Sequence, residues 1–157
     1  MSLRADERGL IVTCGSCAQS NRIAFDDLAS SARCAKCKTA LPAPGSPIEI
    51  LSTGAFDALV AHAPLPILVD CWAPWCGPCQ AVAPELERVA SAQRGRWLVV
   101  KVNTDELQEL AVRLHITSIP ALLLFAEGRE VERTAGALPA ARIQKMVEDA
   151  LAKRRTA

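Results

Sequence analysis

The sequence predicts an α/β protein in which helices flank a mixed β-sheet, preceded by a small cysteine-rich extension. After residue 47, short apolar runs alternate with segments of helical periodicity, a pattern typical of this class. The first 40 residues contain four of the seven cysteines but few large apolar side chains. Such a segment buries too little apolar surface to fold without further support.

Three segments follow from these shifts in composition. Residues 1–40 form the extension, and residues 48–157 form the larger α/β domain. Between them, residues 41–47 contain three prolines and a glycine, which predicts a semi-rigid linker.

Composition excludes several classes of protein. Half of the 157 residues are hydrophobic, 22% are charged, and the formal net charge is +1. No basic excess points to nucleic acid or an anionic membrane, and no apolar run is long enough to span a bilayer. Residues 1–8 are polar and charged, unlike a signal peptide, so we expect the protein to stay in the cytoplasm. We also expect it to be a monomer. In that reducing compartment, seven cysteines favour metal binding and redox chemistry over structural disulfides.

The first half of the domain is predicted to contain a short strand, a helix, a buried strand and a long helix, over residues 48–51, 53–62, 66–72 and 76–93. Ser52 or Thr53 can cap the first helix. Pro66 bounds an uninterrupted apolar run, which is typical of a buried strand. Pro84 falls inside the long helix and is expected to kink it.

The second half is predicted to contain strands over residues 97–102, 121–125 and 129–133, the last an edge strand. A helix beginning at Thr104 or Asp105 and ending near Leu114 separates the first two strands. Pro139 opens the final helix. Its apolar residues recur at the spacing of one helical face, namely Ile143, Met146, Val147, Ala150 and Leu151.

Residues 75–79, Trp-Cys-Gly-Pro-Cys, place two thiols at the first turn of the long helix. Unpaired amides and the helix dipole stabilise a thiolate there, which makes Cys76 the expected nucleophile. Cys79 lies one turn further on, within reach for a disulfide. Gly77 allows a tight turn, and Pro78 suits a first helical turn. The alternative is half of a zinc site, but no cysteine follows Cys79.

Two further C-x-x-C pairs lie in the extension, separated by 16 residues, at Cys14, Cys17, Cys34 and Cys37. This spacing predicts a four-cysteine zinc ribbon, whose closed tetrahedral site is structural. We expect the small residues Gly15 and Ala35 to occupy crowded turns. Bound metal would supply folding energy that the thin core lacks. The alternative is two disulfides or redox dithiols.

The segment from Val69 to Cys79 closely resembles the active-site segment of the thioredoxin family. The resemblance spans roughly residues 48–153 and includes Lys101–Asn103, Ser118–Pro120, the strand 121–125, Gly128 and Gly136. With its extension, the whole chain resembles thioredoxin 2, the zinc-containing type. This resemblance implies a thioredoxin fold, reduction of client-protein disulfides, one structural zinc on the four extension cysteines, and recharging by an NADPH-dependent thioredoxin reductase.

In the implied mechanism, Cys76 attacks a client disulfide and Cys79 resolves the mixed disulfide. Asp70 is the candidate base for Cys79, because it is the only charged residue in an apolar strand and burial raises a carboxyl pKa. Lys101 could pair with Asp70. Alternatively, Asp70 lies in solvent at the strand end and Lys101 is an ordinary surface lysine.

The client-binding residues implied by the resemblance are Trp75, Ile119, Pro120 and Gly136. Ile119-Pro120 corresponds to the family's cis-proline, which would leave the Ile119 backbone free to pair with an extended client segment. Trp75 offers an apolar patch. The alternative for Pro120 is an ordinary trans proline in a turn, and the alternative for Gly136 is a simple turn glycine. Trp75 could instead have a packing role, which is the role that we favour for Trp72.

Cys71 departs from the family pattern, in which an aromatic residue is usual. Next to Asp70 on a strand, it should point to the opposite face and behave as a small buried hydrophobe, the alternative being a third redox thiol.

At the level of the whole protein, two other functions remain open. One is a redox sensor or chaperone that releases zinc when the ribbon cysteines are oxidised, and the other is a disulfide-forming oxidant or isomerase.

Overall fold

A computed structural model describes residues 3–156. Within that range, the chain forms one eight-stranded sheet, one two-stranded sheet and four α-helices. The strands are β1 Leu3–Asp6, β2 Gly9–Thr13, β3 Ser20–Ile23, β4 Ala32–Arg33, β5 Ala40–Leu41, β6 Ile48–Ile50, β7 Ile67–Trp72, β8 Leu98–Asn103, β9 Ala121–Ala126 and β10 Arg129–Ala135. The helices are α1 Thr53–His62, α2 Gly77–Ala92, α3 Gln108–Arg113 and α4 Ala140–Thr156. None of the helices in the described range is both long enough and apolar enough to cross a membrane.

The large sheet is mixed, with strand order β10-β9-β7-β8-β6-β1-β2-β3. Strands β6, β7 and β8 run parallel, whereas β9 and β10 are antiparallel to their neighbours. Strand β7 lies between β8 and β9 and is almost wholly buried, because its residues are apolar apart from Asp70. The α/β fold with a mixed sheet and flanking helices is therefore confirmed.

The two faces of the sheet have separate cores. Val69 and Cys71 face one core, which also contains Phe56 and Leu59 of α1. Leu68 faces the other, against residues of α2 and α4 such as Val82 and Val147. Because side chains alternate along a strand, Asp70 lies on the Leu68 face, the one covered by α2.

The extension is part of the large sheet. Strand β1 pairs in parallel with β6 and antiparallel with β2, and β2 pairs with β3. Leu10 and Phe25 of the extension pack in the same core cluster as Ile50 and Phe56. The sequence analysis predicted no strands here, because each is short and β1 joins the main sheet only by pairing with β6, where Leu3 is the register partner of the distant Ile48. The division into extension, linker and domain stays a prediction, but sheet and core are continuous across it.

The predicted linker lies against the C-terminal end of α2. The Arg94 guanidinium donates a hydrogen bond to the Ala43 carbonyl at 2.8 Å. A Cβ atom at Gly45 would lie 2.1 Å from the same guanidinium, so the absence of a side chain allows this close approach. The proline-rich segment is thereby attached to the larger domain by a side chain.

Helix α3 begins later than predicted. The Asn103 side-chain oxygen accepts hydrogen bonds from the N–H groups of Asp105 and Glu106, at 3.0 and 3.3 Å. These bonds stabilise a turn directly after β8, and the helix begins only at Gln108. The predicted start at Thr104 or Asp105 is therefore wrong, because an asparagine turn competes with the helix for the same amides.

The other helices agree closely with prediction. Ser52 caps α1, its hydroxyl accepting a hydrogen bond from the Ala55 N–H at 3.0 Å. Helix α2 continues through Pro84, where the expected kink stays a prediction, and α4 begins one residue after Pro139. Local capping and periodicity were sufficient to locate these elements.

Candidate functional site

Cys76 and Cys79 form a disulfide at the start of α2, with their Cα atoms 5.3 Å apart. Cys76 is the N-cap residue, and its sulfur accepts a hydrogen bond from the Cys79 N–H at 3.1 Å. Gly77 and Pro78 form the first helical turn, as predicted. Once the disulfide is reduced, this amide and the helix dipole favour a thiolate on Cys76.

The loop before β9 lies against this disulfide. The peptide bond between Ile119 and Pro120 is cis, and the Ile119 carbonyl oxygen lies 3.9 Å from the Cys76 sulfur. The Pro120 carbonyl accepts a hydrogen bond from the Gly136 N–H at 2.9 Å. Ile119 lies outside every helix and strand, and among residues 3–156 no other backbone group forms a hydrogen bond with its N–H or carbonyl. Three predicted client-binding residues therefore meet beside the redox pair.

Two tryptophans flank the disulfide in different environments. Trp75 is 72% exposed, and its indole N–H donates to the Asp105 carboxylate at 3.2 Å. Trp72 is half-buried, and the Lys101 ammonium lies 4.4 Å from its ring centroid in a cation–π arrangement. Trp75 is thus available to a docking partner, whereas Trp72 is engaged within the fold.

Asp70 is buried on β7 with 1% of its surface exposed. Within the described chain, neither carboxyl oxygen has a hydrogen-bond partner. Burial raises the pKa of Asp70 to about 7, although the positive charge of Lys101 opposes the rise. A carboxyl with this pKa can exchange protons near neutral pH.

The predicted contact between Lys101 and Asp70 is electrostatic rather than a direct ion pair. The two residues are register partners on the neighbouring strands β8 and β7. Among residues 3–156, however, no ion pair within 4.0 Å joins them, and the ammonium lies over Trp72 instead. Lys101 is half-buried, not an ordinary surface lysine.

Cys71 is fully buried on the face opposite Asp70, as predicted. Burial, followed by the negative charge of Asp70, raises the pKa of this thiol to about 12. A thiol that stays protonated is a poor nucleophile. The interpretation of Cys71 as a small buried hydrophobe agrees with this environment.

The four extension cysteines converge, as their spacing predicted. The sulfurs of Cys14, Cys17, Cys34 and Cys37 all lie within 4.8 Å of one another. Across the two pairs, Cys14 and Cys37 are separated by 3.7 Å, and Cys17 and Cys34 by 3.6 Å. Tetrahedral zinc with Zn–S bonds of about 2.3 Å requires sulfur separations of about 3.8 Å. Donor type, number and spacing therefore fit a four-coordinate metal.

The two C-x-x-C turns have the same backbone geometry. In each, the carbonyl of the first cysteine accepts a hydrogen bond from the N–H four residues later, on Ala18 at 2.9 Å and on Lys38 at 3.0 Å. Both of these residues have a left-handed backbone, with φ of 65° and 64°. The prediction of crowding at Gly15 is wrong, because an added Cβ there would meet nothing within 4 Å. The restricted positions are instead Ala18 and Lys38, whose left-handed backbone ends each turn.

Asn21 is a residue that the sequence analysis missed. Its side-chain amide donates to the Cys34 sulfur at 3.5 Å and to the Gln19 carbonyl at 3.1 Å, and its oxygen accepts from the Ala35 N–H at 3.0 Å. Asn21 therefore joins the two turns. The backbone N–H of Cys37, with help from Asn21, lowers the pKa of Cys34. The pKa of Cys17 is raised instead, because burial and the neighbouring thiols outweigh its hydrogen bond from the Gln19 backbone, so a thiolate in this cluster is favoured at Cys34.

Comparison with known proteins identifies the larger part of the chain. A family model described as thioredoxin matches residues 47–149, about two thirds of the sequence. The chain belongs to the thioredoxin family. The matched range includes the disulfide, Asp70, Lys101 and the cis-proline loop, so the geometry described above is that of a thioredoxin site.

Individual thioredoxins agree with this assignment. Thioredoxin 1 of Chlorobaculum tepidum is 44% identical over 95 residues, covering 60% of this chain and 94% of that protein. Thioredoxin C-3 of Corynebacterium nephridii is 35% identical over 142 residues, covering 90% of this chain and 96% of its own, so that similarity extends into the extension. A solved mutant thioredoxin from Halobacterium salinarum superposes with a TM-score of 0.62 at 31% identity, covering 68% of this chain and 92% of its own.

The chain is therefore a thiol–disulfide oxidoreductase, active as a protein-disulfide reductase. Its fold is the thioredoxin fold, with a small element resembling a zinc ribbon at the four-cysteine cluster.

Proposed function

We propose that this thioredoxin reduces disulfides in client proteins through Cys76 and Cys79, and that its extension binds one structural zinc ion. The observation that carries the redox assignment is the Cys76–Cys79 disulfide at the start of α2, beside a cis-proline loop whose backbone is free to bind a partner. The finer type, thioredoxin 2, is supported by four sulfurs spaced for a tetrahedral metal.

The reaction proceeds in two exchanges. The Cys76 thiolate attacks one sulfur of the client disulfide, forming a mixed disulfide and releasing the other client sulfur as a thiolate, which takes up a proton. The Cys79 thiol then transfers its proton to the Asp70 carboxylate and attacks the Cys76 sulfur. The Cys76–Cys79 bond forms, the second client sulfur leaves as a thiolate, and two electrons have passed to the client.

Lys101 supports the proton transfer because its positive charge stabilises the ionised form of Asp70. Without that charge, burial alone would keep the carboxyl protonated at neutral pH and unable to accept a proton. Burial and the charge of Lys101 thus have opposite effects on the ionisation of Asp70.

Client binding uses the surface around the sulfurs. An extended client segment pairs with the Ile119 backbone, an interaction that depends little on client sequence. The open position of Gly136, where a Cβ would meet nothing within 4 Å, leaves room for that segment. Trp75 supplies an exposed apolar contact. Such a surface suits many clients.

We also propose that an NADPH-dependent thioredoxin reductase recharges the protein, which acts in the cytoplasm. In support, the metal-binding sulfurs require the reduced state that this compartment maintains. Zinc held by Cys14, Cys17, Cys34 and Cys37 would have no open position for water, so its contribution would be to folding.

Turnover of insulin with NADPH and thioredoxin reductase tests the redox assignment. Cys76→Ser should abolish turnover, whereas Cys71→Ala, which removes a buried thiol away from the site, should retain it. Asp70→Asn should form the mixed disulfide at a normal rate but resolve it more slowly in single-turnover experiments. Normal turnover by Cys76→Ser would reject the assignment of the nucleophile, and normal resolution by Asp70→Asn would reject the assignment of the base.

The exposure of Cys37 favours a second candidate function, a sensor in which oxidation of the four cysteines releases zinc. Following zinc release with a chromogenic chelator during mild peroxide treatment tests this idea. If zinc stays bound while Cys76–Cys79 is oxidised and then reduced again, the metal is structural only. Release of zinc at peroxide doses that change client binding would support the sensor.

A further inference from the structure

A row of charged side chains crosses four strands of the sheet. Asp70 on β7 is the register partner of Lys101 on β8, Lys101 is the partner of Glu49 on β6, and Glu49 is the partner of Arg4 on β1. Directly paired residues project to the same face of a sheet. The four charges therefore alternate in sign from the redox site to the amino-terminal extension.

Exposure increases along this row. Asp70 is buried and Lys101 half-buried, whereas Glu49 and Arg4 are exposed. Lys101 and Glu49 also line an open cleft of about 840 Å³, bounded by the extension, the linker and Glu87 of α2. Neighbouring strands lie about 4.8 Å apart, so Lys101, Glu49 and Arg4 are displaced across the sheet from Asp70 by about 5, 10 and 14 Å. Solvent in the cleft weakens these interactions without removing them.

The other surroundings of Asp70 carry little charge. On β9 its register partner is Leu122, and α2 covers this face with Val82 and Leu86. Cys71 is on the opposite face and stays protonated. Lys101 is therefore the positive charge that acts on Asp70, and anything that moves or neutralises it alters the proton acceptor.

We propose that Glu49 and Arg4 are positioning residues of the redox centre, which control, through Lys101, the fraction of Asp70 that is ionised. The negative charge of Glu49 offsets part of the Lys101 charge that acts on Asp70, favouring the protonated carboxyl. Arg4 partly neutralises Glu49 and has the opposite effect. The extension thereby contributes a charge to the proton-transfer step, an inference that rests on the role proposed above for Asp70.

Carboxyl ¹³C NMR titration of Asp70 tests this proposal in the oxidised, metal-loaded full-length protein, where Cys76 and Cys79 do not titrate. At low ionic strength, Glu49→Gln should lower the pKa of Asp70 by about half a unit, and Arg4→Gln should raise it by a smaller amount. Glu49→Asp, which keeps the charge, should remain close to wild type. Glu87→Gln is the matched control, because it removes an equal charge from the same cleft but lies outside the row, and it should have a smaller effect.

The Lys101→Met background separates an effect through Lys101 from a direct one. In that background, the shift caused by Glu49→Gln should shrink to less than half. The proposal is overturned if Glu49→Gln leaves the pKa unchanged, if Glu87→Gln has an equal effect, if Arg4→Gln shifts it in the same direction as Glu49→Gln, or if the shift persists without Lys101. These outcomes concern the pKa alone, whereas failure of Asp70 as the base would appear as normal resolution kinetics in Asp70→Asn.

Discussion

The chemistry of single residues depends on how far each is removed from water. Asp70 has a pKa raised to about 7 because burial penalises its charged form, and Cys71 has one raised to about 12 for the same reason. Cys76 differs because a backbone amide reaches its sulfur at the start of α2. Three titratable side chains within seven positions thus have three different chemistries.

Asp70→Asn should change how stability depends on pH. The folded pKa of about 7 exceeds the unfolded value near 3.8, so the folded state binds more protons between these limits. Wild-type stability should therefore fall as pH rises from about 4 to 7, by on the order of 3 kcal/mol. The variant should lack that decrease. Urea unfolding of both oxidised proteins at pH 4, 5.5 and 8 measures the difference, and parallel pH profiles would contradict it.

Trp75→Ala should weaken client binding without affecting resolution. Its exposed ring contacts solvent, so removing it should raise KM for insulin by about fivefold, the effect of about 1 kcal/mol of lost contact. Val112→Ala is the matched control, because Val112 is also an exposed apolar residue, 75% exposed, but lies on α3. If both variants raise KM equally, Trp75 has no special place in docking.

At the scale of elements, the strands of the extension depend on close backbone contacts. Gly9 begins β2 with φ of 153°, and an added Cβ would lie 2.3 Å from the Ile23 carbonyl oxygen of β3. Both the backbone angle and the contact require glycine. This one position therefore affects how β2 pairs with β3 at the outer end of the sheet.

Gly9→Ala should lower the free energy of unfolding by about 2–3 kcal/mol, because both the strained backbone and the clash must be relieved. Gly15→Ala is the control, since its added Cβ meets nothing within 4 Å, and it should be nearly neutral. Urea unfolding of the metal-loaded proteins measures both. Equal stability of the two variants would show that the β2–β3 contact can relax freely.

At the scale of the whole molecule, the extension and the larger domain share a sheet and a core. Leu10 and Phe25 pack in the cluster that contains Phe56 and Leu59, and β1 covers the edge of β6. Loss of the zinc ion proposed for the four-cysteine cluster should therefore destabilise the entire protein rather than the extension alone.

Removing metal with a chelator should lower Tm by on the order of 10 °C. All three tryptophans, at positions 72, 75 and 97, lie outside the extension, so their fluorescence reports only on the larger domain. We expect tryptophan fluorescence and far-UV circular dichroism to show the same lowered transition. An early transition seen only by circular dichroism would mean that the extension unfolds independently.

Much of the site could be predicted from the sequence because its signals are local. The spacing of Cys76 and Cys79, the cap at Ser52 and the periodicity of α4 depend on residues within one or two turns. Helix α3 and the strands of the extension could not be predicted equally well. In the first case an asparagine turn competes with the helix, and in the second β1 joins the main sheet by pairing with β6, which lies far along the chain.

By itself, the sequence determined the α/β class, the redox pair at a helix start and the four-cysteine cluster, because spacing along the chain controls those features. Tertiary structure alone decided that Lys101 lies over Trp72, that Asn21 joins the two C-x-x-C turns, and that β1 continues the sheet beside β6. It alone aligned Arg4, Glu49, Lys101 and Asp70 in one row. The physical reason is strand register, which brings together charges separated by up to 97 positions in sequence and is set by packing of the whole sheet.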